Sequence, residues 1–128
     1  MSYPEMSFYR TFVAAADLDG KEGYGVTIDA DGRVSLAELT DYCIGVVFDV
    51  LQTGAGGRVV VRLPVPAMKV KAGGAVNEAA TVACDSTTDG EFIASSGTDK
   101  VFGIALTAAA DGDMFDILPI APTAHGSV

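Results

Sequence analysis

Apolar residues along this chain gather in short runs, each closed off by glycine, aspartate or proline. Val59-Val60-Val61 sits between Arg58 and Arg62, and Val101-Phe102 and Ile104-Ala105 flank Gly103. Runs of this length, rich in β-branched and aromatic residues and bounded by turn formers, predict strands rather than long helices. The pattern places strands near Tyr24–Ile28, Arg33–Ala37, Cys43–Val50 and Arg58–Leu63, and again near Ala80–Cys84, Glu91–Ala94, Val101–Thr107 and Met114–Leu118. Asp31-Gly32 and Asp89-Gly90 tolerate the positive φ of hairpin turns, so each falls between two strands.

The two groups of four strands read as one unit written twice. Sliding the chain by 58 positions lays Asp31-Gly32 on Asp89-Gly90, Thr40-Asp41 on Thr98-Asp99 and Gly45 on Gly103. A Gly-containing turn follows each apolar run, and each copy enters a last strand that meets a proline at Leu63-Pro64 or Leu118-Pro119. Proline removes a donor and should end the ladder there. A double hairpin cannot bury its own apolar face, so two units should close on each other as a small all-β barrel or sandwich. The units are expected at about 24–64 and 80–119 within one β domain, 20–120, with 65–79 as a linker. Residues 1–19 are expected to form an extended N-terminal arm, and 121–128 a flexible tail. Aligning the closing strands on their prolines pairs Val60 with Phe115 and Arg62 with Ile117, which sets polar positions on opposite faces; a bulge or a strand buried on both sides would resolve it.

A length of 128 residues suits one domain. Seventeen acidic against eight basic residues give a formal charge of −9, which disfavours nucleic acid and anionic membrane as partners. The apolar runs are far short of the roughly 20 residues a membrane helix needs. No signal-like leader stands at the first residues, so synthesis and initial residence in a cytoplasm are expected. Cys43 and Cys84 lack metal or redox spacing and are expected as reduced core residues. His125 is flanked by Gly and Ser and is expected in solvent.

Three stretches imitate chemistry. Thr27–Glu38 approaches a calcium loop of EF-hand type through Asp29, Asp31, Gly32 and Glu38, but position one is Thr27 and no entering helix is predicted. Ala67-Met68-Lys69-Val70 resembles the signature of biotin carrier domains, yet Pro64 and Pro66 interrupt the strand that should precede it. Asp41 and Asp99 could form an acid–base pair, but equivalent places in two copies of one turn explain them better. With no nucleophile elbow, phosphate loop or Cys/His cluster, the expectation is a protein without catalytic activity, cofactor or metal.

The order of several segments resembles the phage capsid cement, or head decoration, proteins. They are Phe12–Leu18, Gly25–Gly32, Ile44-Gly45-Val46, Val70–Val76, Gly103–Leu106 and Gly112–Leu118. The resemblance implies a virion protein made in the host cytoplasm that binds the major capsid protein on the head exterior and stabilises the expanded shell, as a homo-oligomer with a trimer favoured. A small β-barrel binding module for a glycan or protein is the alternative. Tyr3, Phe8, Tyr9 and Phe12 concentrate aromatic area in the expected arm, and are the candidate partner-binding residues, able to add a strand to an exposed edge.

Overall fold

The computed structural model describes residues 8–64, 67–85, 88–96 and 99–124, with 121–124 described by backbone alone. Ten strands form: β1 (Tyr9–Ala14), β2 (Gly25–Ile28), β3 (Arg33–Leu36), β4 (Gly45–Val50) and β5 (Arg58–Arg62), then β6 (Met68–Lys71), β7 (Thr81–Cys84), β8 (Phe92–Ala94), β9 (Lys100–Ala105) and β10 (Met114–Ala124). The first five close into a barrel in the order β1-β3-β2-β4-β5, and the last five make a sheet in the order β6-β10-β9-β7-β8. The fold is thus all-β, a small barrel joined to a second sheet.

Corresponding strands in the two halves pair in the same way. In the first, Ala14 meets Val34 in parallel; in the second, Ala72 meets Phe92 in parallel through one isolated bridge, 58 residues further on at both positions. The flanking bond also recurs, Ala15 N donating to Val34 O and Gly73 N to Phe92 O, both at 2.8 Å. Val26 pairs with Leu36 and Gly45, while Val82 pairs with Ala94 and Gly103. The Asp-Gly turns have the required geometry, with Gly32 at φ 80° and Gly90 at φ 86°.

All eight strands expected from the pattern are present, seven of them within two residues at each end, and the eighth starting at Met114 as expected but running beyond Leu118. The ends and the connector differ from expectation. Residues 9–14 are not an arm: β1 pairs antiparallel with β5 from Tyr9–Arg62 to Val13–Arg58, and with β3 through Val13 and Ala14. It folds in because Phe12 and Ala14 fall on one face of the strand and enter the core, while Thr11 and Val13 point outward. The expected linker 65–79 contains β6, whose Met68 and Val70 are buried and which pairs with β10. Pro119 does not end the last strand. It stands opposite Gly103, the register shifts between Pro119 and Thr123, and β10 runs to Ala124 inside the expected tail. A bulge accommodates the missing donor.

Two apolar cores result. One fills the barrel with Phe12, Leu18, Val26, Val34, Val47, Val59 and Val61. The other lies under the second sheet around Phe92, Phe102, Phe115, Met68 and Ile117, and also takes Ala37, Cys43 and Val46 from the first half. The halves are further joined by backbone bonds from Gly25 N to Gly90 O (2.7 Å), Gly90 N to Ala37 O (2.7 Å), Lys71 N to Gly23 O (3.0 Å) and Lys100 N to Leu39 O (3.0 Å). Shared apolar burial and satisfied backbone groups at the seam make one unit of the two halves.

Candidate functional site

Of the four aromatics expected to meet a partner, Tyr3 lies outside the described residues. Phe12 is a core side chain, 9% exposed, and is therefore unavailable to a partner. Phe8 is half-buried against the second core, and its carbonyl accepts a bond from Leu63 N at 2.6 Å. Tyr9 is half-buried and points to the outer side of the barrel, on the face opposite Phe12. Its hydroxyl accepts a bond from Arg62 Nη1 at 2.8 Å, and the Arg62 guanidinium lies 5.3 Å from the ring centroid. The Phe48 ring is tilted against it with centroids 4.7 Å apart.

Phe48 was not among the expected site residues. The run Cys43–Val50 reads as a buried strand, and its neighbours Val46 and Val47 are buried, but the β4–β5 register shifts between Val47 and Asp49. Phe48 falls at that irregularity and turns outward, 52% exposed. A bulge re-aims a side chain in this way, and alternation alone does not reveal where one falls.

Beside Phe48 a cavity of about 460 Å³ opens between the halves. One wall is Val47, Phe48 and Arg62; the other is Lys69, Met114 and Asp116. Gly23, at φ 89°, forms part of its lining, and a β-carbon there would stand 2.7 Å from Met114 Cε. Met114 is 47% exposed, and Leu118, two positions on along the same outward face of β10, is 40% exposed. Lys69 and Asp116 pair at 3.1 Å in the open, an arrangement that orients the wall more than it stabilises the fold. Arg62 Nε is shielded from solvent and has no acceptor among the described residues. The surface is thus a mostly apolar cleft with one cation fixed in place by an aromatic ring, suited to contact with another macromolecule.

The carboxylates that imitated chemistry serve turns. Asp29 Oδ1 accepts from Asp31 N (2.9 Å) and Arg33 N (3.0 Å) within the calcium-like loop. Asp41 Oδ2 accepts from Glu38 N at 3.0 Å, and Asp99 Oδ2 from Ser96 N at 2.8 Å. Asp17 is held below its ordinary pKa by bonds from Gly54 N and Asp19 N. Glu38, Asp41 and Asp89 share an acidic hollow with Asp17, and two of these four carboxylates, Asp17 and Asp41, accept bonds from backbone N–H groups. Lys69 of the biotin-like tetrapeptide lies within β6 opposite Asp116 and not at a hairpin tip.

No family model and no curated protein matches the sequence. Among solved structures the chain is similar to the N base of head fiber protein gp8.5 of bacteriophage phi29, with a TM-score of 0.62 and 19% identity over 90% of this chain and 95% of that one. The two share a fold across nearly their whole lengths.

Proposed function

We propose that this chain is a structural protein of a phage particle, carried on the outside of the head, where it binds the capsid and stabilises the expanded shell. The observation that carries the reading is the fold held in common with a head fiber base over 90% of the chain. The order of segments that resembles capsid cement proteins points the same way from the sequence alone. A net charge of −9 suits a position away from packaged DNA. In this reading Tyr9, Phe48 and Met114 face the capsid protein or a neighbouring copy, and the functional unit is a homo-oligomer, with a trimer favoured. It invokes no catalysis, cofactor, nucleic acid or membrane. We further infer that the two halves descend from one duplicated five-strand unit, since the parallel Ala14–Val34 and Ala72–Phe92 contacts and their flanking bonds recur at one spacing.

The test is compositional. Particles purified from cells that encode the chain should carry it at a fixed copy number per head, visible as surface density that disappears when the gene is deleted. Particles lacking the chain, or holding it only inside the shell, would overturn the proposal. The tighter test uses Phe48→Ser, which alters an exposed side chain and should preserve folding while reducing head occupancy at least tenfold, about 1.4 kcal/mol.

A further inference from the structure

The two cysteines come from opposite halves of the molecule and meet at the seam. Cys43 lies just before β4 and Cys84 is the last residue of β7. Both are buried, at 7% and 2% exposure, and both are free thiols. Gly25 marks how closely they converge, because a β-carbon built on it would stand 2.7 Å from Cys84 Sγ and 2.8 Å from Cys43 Sγ. The Cys43 thiol also donates to Gly45 O at 3.1 Å.

We propose that Cys43 and Cys84 form a latent cross-link site, a pair of thiols that closes to an intramolecular disulfide under oxidising conditions and locks the barrel to the second sheet. The oxidant required is a low-molecular-weight disulfide. The Cys43 thiolate, the less buried of the two, attacks one sulfur of the small disulfide; the S–S bond breaks, one small thiol leaves, and a mixed disulfide remains on Cys43. The Cys84 thiolate then attacks the Cys43 sulfur and expels the second small thiol. Two protein thiols lose two protons and two electrons, and one small disulfide becomes two thiols. The hydrogen bond with the neighbouring Cys43 thiol, and then burial, push the Cys84 pKa well up. That holds it protonated near neutrality, so closure is slow and speeds up with rising pH. The bond would close a long loop of the unfolded chain, the situation in which a cross-link raises stability most. This inference does not rest on the virion reading.

The experiment uses the full-length folded protein, incubated at pH 8.5 with oxidised glutathione. Intact mass, a tryptic map without reductant and thermal melting follow, before and after a phosphine reductant. The expected result is a monomer lighter by about 2 Da, a Cys43–Cys84 linked peptide, and a melting temperature raised by about 5 °C or more that returns on reduction. A Cys84→Ala variant should stop at the glutathione adduct on Cys43. The proposal is overturned if the folded protein gives only adducts or intermolecular dimers, if the link forms only in urea, or if the linked protein melts no higher than the reduced one.

Discussion

Gly25 is the residue whose replacement should report most directly on how the halves are joined. Its backbone occupies the seam, with N donating to Gly90 O at 2.7 Å and O accepting from Ala37 N at 3.1 Å, so it cannot retreat without breaking bonds between or within the halves. A β-carbon there would meet Cys84 Sγ at 2.7 Å, Cys43 Sγ at 2.8 Å and Phe92 Cζ at 2.8 Å, against ordinary contacts of about 3.5–4.0 Å. Phe92 is fully buried, so none of the three neighbours can swing into solvent. Overpacking of this kind costs typically 1–3 kcal/mol, and with three simultaneous contacts Gly25→Ala should cost about 3 kcal/mol. Gly32→Ala supplies the control. Its φ of 80° is strained for alanine but nothing lies within 4 Å, so about 1–2 kcal/mol is expected. Urea unfolding of each variant gives the comparison, and the decisive arm repeats Gly25→Ala in a Cys43→Ala, Cys84→Ala background. Removing both sulfurs makes room for the methyl, and the cost should fall by at least about 1 kcal/mol, a coupling of the size expected between contacting residues. An unchanged cost in that background, or a Gly25→Ala no worse than Gly32→Ala, would refute the steric account of the seam.

Phe12→Ala should cost about 3–5 kcal/mol in the same assay, because its ring fills the barrel core; a variant that melts like the parent would return β1 to the status of an arm. Asp99→Ala should lose about 1 kcal/mol through the bond from Ser96 N, with Asp99→Asn retaining most of it, as measured by thermal melting. Tyr24 is expected to ionise above its ordinary pKa of 10.0, first through burial and then through the charge and hydrogen bond of Glu91. Since the folded state favours the protonated phenol, the associated stability is present below pH 10 and is lost as pH rises through the folded value. Glu91→Gln should therefore bring the Tyr24 phenolate transition, followed at 295 nm, to lower pH. Millimolar calcium should leave the melting temperature unchanged, since Asp29 Oδ1 already accepts two backbone donors; a rise of several degrees would identify a native-state site.

Turn chemistry carried most of what the sequence disclosed. Asp-Gly pairs and small apolar runs located eight strands because each signal is local: the glycine supplies the positive φ and the flanking residues supply the pleat. The two missed strands are the same element of each half. β1 carries only Phe12 and Ala14 into the core, and β6 only Met68 and Val70, the latter among lysines and close to Pro64 and Pro66. Two inward side chains are too few for alternation to stand out, although the spacing of 58 that aligns Gly45 with Gly103 also aligns Phe12 with Val70 and Ala14 with Ala72. Of the proposed contact surface, only Tyr9 was legible in the sequence. Phe48 depends on a bulge and Met114 on the packing of one half against the other, and both are tertiary properties without a local signature.

The register of the closing strands shows what the prolines concealed. Val47 pairs with Val61 and Ala105 with Ile117, while Val46 pairs with Arg62 and Ile104 with Leu118. Val61 therefore corresponds to Ile117 and Arg62 to Leu118, a spacing of 56, and Pro64 has no equivalent in Pro119. Aligned this way the inward positions agree, Val59 with Phe115 and Val61 with Ile117, all buried, and neither a flipped strand nor a strand buried on both sides is needed. The difference between the halves then lies on the outer face. Where the barrel sets Arg62 against Tyr9 and Phe48, the second sheet leaves Leu118 open to solvent beside the Asp116–Lys69 pair. Inward residues are held alike by the demands of one pleated core, whereas outward residues answer only to what they meet. The unlike outer faces of β5 and β10 adjoin the cleft between the halves, and under the proposed function that is the surface on which substitutions should alter head occupancy without altering the fold.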